Sequence, residues 1–164
     1  MNIFWLDYDM EKNVTYYCDK HVVKMILEYA QLLSTACRLN GVEEGYKASH
    51  INHPCSIWCR ESLDNWLLLR ELAFNLSEEF YHRYHNVHSS FYVIRELSLP
   101  NIPSKDITPA PQCMPSQYKC DDLVIVYRNY YIGEKSRFAR WTKRPVPEWF
   151  NYNGILIPNG NKHN

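Results

Sequence analysis

The chain has 164 residues, 46% of them hydrophobic and 22% charged, with 18 basic against 18 acidic side chains. That length suits one domain with a sizeable core, and the composition excludes a disordered chain. A neutral total leaves nucleic acid open as a partner, but any positive surface then has to come from segregated charge.

Met1 to Leu6 is a short apolar opening, read as one strand or as an extended segment laid on the core. Asp7 or Asp9 can cap a short helix through about Tyr17. The longest clean helical pattern follows, Asp19 to Leu39, with Asp19 as its expected cap. Val22, Val23, Met25, Ile26, Ala30, Leu33 and Ala36 fall at helical spacing, and Leu32 and Leu39 widen the apolar face. Gly41 ends it. Residues 42 to 53 form a polar loop. Pro54 suits the first turn of a helix through Trp58. Ser62 can cap another, running to about His85, with Leu63, Trp66, Leu67, Ala73, Phe74, Phe80 and Tyr84 toward the core. Its outer line is Asp64, Glu71, Glu78 and His82. Ser89 to Leu97 reads as one more short helix. Five prolines between Leu99 and Pro115 predict an ordered surface loop, long enough to be functional. A final helix is expected from about Tyr118 to Ala139, and the GNKHN end is expected to fray. The spacing thus predicts an all-α bundle of about five or six helices, a single domain over 1–150 and a tail over 151–164.

The acidic start MNIFWLDYD has no apolar signal-peptide core, and no run approaches the roughly 18 apolar residues of a membrane span. The six cysteines are therefore read as reduced thiols of a soluble intracellular protein.

Three constellations could carry chemistry. His21, Lys24, Glu28 and Gln31 follow at steps of three, four and three, which keeps them on one helix face. A histidine titrates near neutrality, a glutamate can act as base, and a lysine of depressed pKa can be a nucleophile. The same line also reads as a solvated face with Lys24 and Glu28 paired. The second set is Cys18, His21, His50, His53, Cys55 and Cys59. These are zinc-ligand types, but HINHPCSIWC follows no standard finger spacing, and buried cysteine often behaves as a small hydrophobe. The third is the C-terminal module. From Lys135 to Arg144 there are five basic residues and no acid. Tyr127, Tyr130, Tyr131, Phe138 and Trp141 are interleaved with them. That pattern suits phosphates and stacked bases, or equally a ring-filled core with basic side chains snorkelling to water. No Walker loop, dinucleotide glycine pattern, HExxH or nucleophile elbow is present, which argues against a P-loop kinase.

The segments CDKHVVKMILE, AQLLSTA, NHPCSIWCRESLDNW, TPAPQCMPSQYK and YRNYYIGEKSRFARWTKRPVPEWF resemble a helical family of tailed bacteriophages and large DNA viruses. The likeness covers roughly residues 1 to 150. The family is similar to proteins labelled pyrimidine-dimer DNA glycosylase, and to the helical domain associated with phage 5-hydroxymethyl-deoxyuridine DNA kinases. The resemblance implies a viral protein in the cytoplasm of the infected host. It would act on or recognise a modified pyrimidine base or nucleotide, with DNA or a nucleotide or nucleoside as partner and no membrane. It points to Asp19, His21, Lys24 and Glu28 as catalytic. Substrate-binding positions would be Lys20, His53, Arg60, Ser62, Asn65, Gln112, Tyr118, Arg128, Tyr131, Lys135, Trp141 and Arg144. A glycosylase of the small pyrimidine-dimer type uses a processed N-terminal amine. This chain starts Met-Asn, a context in which Met is retained, so Lys20 or Lys24 would have to replace that amine. No cofactor is expected apart from the zinc alternative. The competing reading is a non-catalytic module that binds a nucleotide or a host or viral protein, as a phage counter-defence protein would.

Overall fold

Helix α2 (Asp19–Arg38) is the central element, in a computed structural model that describes residues 1–150. The remaining α-helices are α1 (Met10–Tyr16), α3 (Pro54–Glu61), α4 (Leu63–Tyr84), α5 (Ser89–Glu96) and α6 (Leu123–Tyr130). Helix α2 packs against α3, α4 and α5, while α1 packs on α4. The molecule is all-α among the described residues, in line with its helical spacing. No helix there is long and apolar enough to cross a membrane.

The apolar line of α2 is buried at Val22, Met25, Ile26, Ala30, Leu33 and Ala36, with Tyr29 and Leu32 on the flanks. Val23 and Leu39, expected inside, are exposed, as is Leu67 on α4. The caps follow local chemistry. Asp9 accepts from the Lys12 N–H, Ser62 from that of Asp64, and Pro54 opens α3 behind His53. Gly41, at φ +83°, stands just past the end of α2.

Three expectations are resolved by the structure. Of the two readings of Met1 to Leu6, the extended segment holds, and no strand forms among the described residues. Met1 to Leu6 is extended, and its backbone is satisfied by side chains instead of a neighbouring strand. The Phe4 N–H donates to the Tyr29 hydroxyl (3.2 Å), the Phe4 carbonyl accepts from Tyr17 (2.7 Å), and the Leu6 N–H donates to Asn13 (2.7 Å). Second, Asp19 does not cap α2. The cap residue is Cys18, without a side-chain bond, and the Asp19 N–H donates to the Arg140 carbonyl at 2.8 Å. Third, the expected helix from 118 to 139 is broken. A 3₁₀ turn spans Ser116–Tyr118, Asp122 caps α6 by accepting from Val124 and Ile125, and a π-turn takes Tyr131–Lys135. The π-turn contains Gly133, where a Cβ would overlap the Tyr118 ring. The proposed tail over 151–164 lies outside the described residues.

The proline-rich segment is ordered by two side chains at the start of α4 and one of α3. Ser62 accepts from the Lys105 N–H (3.1 Å) and donates to its carbonyl (3.2 Å). Asn65 accepts from the Thr108 N–H (3.0 Å), and Trp58 Nε1 donates to the Thr108 carbonyl (3.0 Å). This path delivers Gln112 and Cys113 to the start of the chain, where Asn2 donates to the Cys113 carbonyl (3.1 Å).

One buried ion network ties these parts together. Arg83 of α4, 2% exposed, donates to Glu79 (2.7 Å), to Asp19 (2.9 Å) and to the Thr15 carbonyl of α1 (3.1 Å). Glu79 also takes a two-pronged contact from Arg144, at 3.0 and 2.8 Å. Removing one partner of such a network leaves an uncompensated buried charge. Arg83→Ala should therefore cost about 3–5 kcal/mol in urea unfolding, far more than truncating the exposed Arg95.

Candidate functional site

The polar line of α2 divides into three environments. At its start, Asp19 is consumed by the fold. Its carboxylate accepts from Arg83 and from the Thr142 N–H and hydroxyl, at 2.9 and 2.8 Å for the latter two. Burial alone would raise its pKa, but the Thr142 and Arg83 bonds outweigh burial and hold the carboxyl below its usual range.

His21, next on the line, is buried. Its ring stacks on Phe4 at 4.5 Å, and Nδ1 lies 2.6 Å from the Tyr131 hydroxyl. Burial pushes its pKa down to about 3, and the positive charges of Lys135, Lys24 and Lys20 add to that. The ring therefore stays neutral near pH 7. Lys20 and Lys24 are exposed, and Lys135 is half-buried. Lys20 sits over the Phe138 ring at 4.5 Å, and Arg137 flanks the same ring at 5.4 Å. Lys135 lies over the Tyr130 ring at 4.5 Å.

A turn further along, Lys24 and Glu28 pair at 3.0 Å. Glu28 is largely covered, and its Oε2 is buried with no hydrogen-bond partner among the described residues. A carboxylate oxygen in that state is a strong, unused acceptor. The charge of Glu28 also acts on His53, whose pKa is lowered chiefly by burial, then by positive charge at the chain start and at His50, with Glu28 opposing.

His53 belongs to a second cluster. Its Nδ1 accepts from the Cys55 N–H at 3.1 Å and so caps α3. Cys55 Sγ and Cys113 Sγ are 3.8 Å apart, and donor atoms of His53, Cys55 and Cys113 all lie within 4.8 Å of one another. Burial pushes the Cys55 thiol up, and the neighbouring Cys113 thiol adds to it. The other members of the expected zinc set stand elsewhere. Cys18 and His21 are at the start of α2, His50 is exposed, and buried Cys59 faces the Leu32 carbonyl at 3.9 Å. All six cysteines are free.

Several residues expected to bind substrate serve the fold. Arg60 donates to the Ile51 carbonyl (2.7 Å), and Ser62 and Asn65 hold the proline-rich segment. Gln112 donates to the Cys120 carbonyl (2.8 Å), and Tyr118 to Glu134 (3.0 Å). Arg128 donates to the Leu6 carbonyl (2.7 Å) and pairs with Asp7 (3.1 Å). Trp141 donates to the Tyr16 carbonyl (2.8 Å), and Arg144 is held by Glu79. Tyr127 and Tyr131 are fully buried, so these rings fill the core and present no stacking face. Lys20, Lys24, Lys135, Glu28 and His53 remain available to a ligand. Cys113 was missed because nothing in its sequence neighbourhood pairs it with a cysteine 58 positions away.

Two open hollows lie away from this line. One, of about 470 Å³, is lined by Glu11, Lys12, Glu79, His82 and Arg144. The other, of about 360 Å³, is lined by Trp5, Tyr8, Trp58, Ile107 and Pro109. Comparisons with protein-family models, curated proteins and solved structures return no match to this chain.

The His21 environment fixes a pH dependence. Its folded pKa of about 3 is below the unfolded value near 6.5, so its stabilisation is full above about pH 6.5 and is lost as pH falls toward 3. Denaturant unfolding at pH 7 and pH 5 should show the wild type losing stability at up to about 1.4 kcal/mol per pH unit from this group. His21→Gln should start less stable and lose that component of the slope.

Proposed function

We propose that the protein binds a phosphate-bearing ligand, a nucleotide or a DNA strand carrying a modified pyrimidine, along the exposed edge of α2, and acts on the base through Glu28. The observation that carries this reading is the placement of Lys20 and Lys24 beside His21 on α2, with Lys135 on the π-turn whose Tyr131 meets His21, and, about two turns along from His21, a buried Glu28 oxygen without a partner among the described residues. The chain is neutral overall, so a local group of three lysines is charge segregation of the kind an anionic ligand exploits.

The roles divide by chemistry. Lys20 and Lys135 would hold phosphate, since both are exposed or half-exposed and neither pairs with a carboxylate among the described residues. Lys24 would hold Glu28 in place. Glu28 would accept a proton from water or from the base through the carboxylate oxygen that has no partner among the described residues. Neutral His21 would act as a hydrogen-bonding wall. The viral, DNA-modifying context comes from the family resemblance and remains part of this proposal.

Fluorescence anisotropy with single-stranded oligonucleotides, with thymine or 5-hydroxymethyluracil at one position, tests the binding step. The Lys20→Ala, Lys135→Ala pair should weaken binding and flatten the slope of log affinity against log salt by about 1.4, at about 0.7 for each phosphate no longer neutralised. Glu28→Gln should keep the affinity and abolish product formation measured by mass spectrometry of digested nucleosides. Wild-type binding without any product would identify a binding module. An unchanged salt slope in the lysine pair would remove the phosphate assignment.

A further inference from the structure

We infer that His53, Cys55 and Cys113 form a binding site for one thiophilic metal ion of the zinc type. They are the one group of three or more His, Cys, Asp or Glu side chains, among the described residues, whose donor atoms gather closely enough to share an ion. Two of the donors are sulfur and one is imidazole, the ligand types that zinc prefers over oxygen.

The geometry favours this over chance packing of thiols. With Zn–S bonds of about 2.3 Å and a tetrahedral angle, two thiolates on one ion stand about 3.8 Å apart. Cys55 Sγ and Cys113 Sγ are 3.8 Å apart. Two thiols in ordinary van der Waals contact would show a similar spacing, but such contact does not call for an imidazole within reach of both. The two sulfurs already stand at the required separation, and the imidazole, within 4.8 Å of both, needs only to settle onto the ion with them.

The surroundings fit an ion as well. Cys55 is buried in the first turn of α3, which fixes its position. Cys113 sits on the proline-rich segment, anchored through its carbonyl to Asn2, and is half-buried with His53. An ion can therefore enter from the His53 and Cys113 side. Three protein donors leave a fourth position for a water or another ligand. Ligation has one local cost. His53 Nδ1 accepts the Cys55 N–H, so binding through Nδ1 breaks the α3 cap. Binding through Nε2 breaks it too, because the neutral ring then carries its proton on Nδ1.

Cobalt(II) titration of the reduced, metal-free full chain tests the site with no nucleotide present, so its result is separate from that of the ligand-binding reading. The expected result is one cobalt per chain, with a thiolate-to-cobalt charge-transfer band in the near ultraviolet and the strong visible bands of a tetrahedral sulfur site, displaced by added zinc. Cys113→Ala should lose the charge-transfer intensity of one thiolate and weaken uptake. His53→Asn keeps a side chain able to cap α3 and should also weaken uptake. Cys120→Ala should change nothing. Absence of the charge-transfer band in the wild type, or a band unchanged in Cys113→Ala, would overturn the assignment. Formation of a Cys55–Cys113 disulfide in air with no cobalt uptake on reduction would likewise overturn it, and would mark the pair as a redox couple.

Discussion

Arg83 is the charge on which this structure turns. It is a fully buried guanidinium on α4, and it is tolerable there only because Glu79, Asp19 and the Thr15 carbonyl take its donors. Those acceptors come from α4, α2 and α1. Arg144 closes the far side on Glu79, and Thr142 closes Asp19. Helix packing alone would let α2 slide along its apolar partners. A guanidinium fork with fixed donor directions does not allow that, so the network sets both the register of α2 and the path of the C-terminal segment across its start.

That register decides what the polar line of α2 can do. Asp19 is spent on the network. His21 is pushed under the C-terminal module, where Phe4 and Tyr131 enclose it and burial, with the nearby lysines adding to it, keeps it neutral. Only past this point does the line reach groups with unused capacity, first Lys24 and then Glu28. The same helix thus runs from a structural end to one with an unpartnered carboxylate oxygen, while α3 and the proline-rich segment bring His53, Cys55 and Cys113 together.

The local parts of this were legible in the sequence. The apolar spacing of α2, the caps at Asp9 and Ser62, Pro54 at the head of α3 and Gly41 after α2 each depend on a few neighbouring residues. The C-terminal helix failed because two local devices compete with its periodicity. Asp122 restarts the helix by capping, and the π-turn at Gly133 rotates everything after it. The interleaved rings and cations in that module read equally as a stacking surface or a core, and burial, which a sequence does not state, decided for the core at Tyr127 and Tyr131. The network and the thiol pair were invisible for one reason. Arg83 meets Asp19 across 64 positions and Cys55 meets Cys113 across 58, with nothing local to mark either partner. His21, Lys24 and Glu28 lie along one helix as their spacing predicts, yet their different environments come from segments far away in the chain.

Amide hydrogen exchange in Asp19→Ala tests the central claim most directly. Asp19 accepts the Thr142 N–H, and the amide at position 19 donates to the Arg140 carbonyl. If the network holds the C-terminal segment on the start of α2, the amides of residues 19 and 142 lose protection together, while those in α3 and α5 keep theirs. Unchanged protection at both positions, or a uniform loss across every helix, would contradict it.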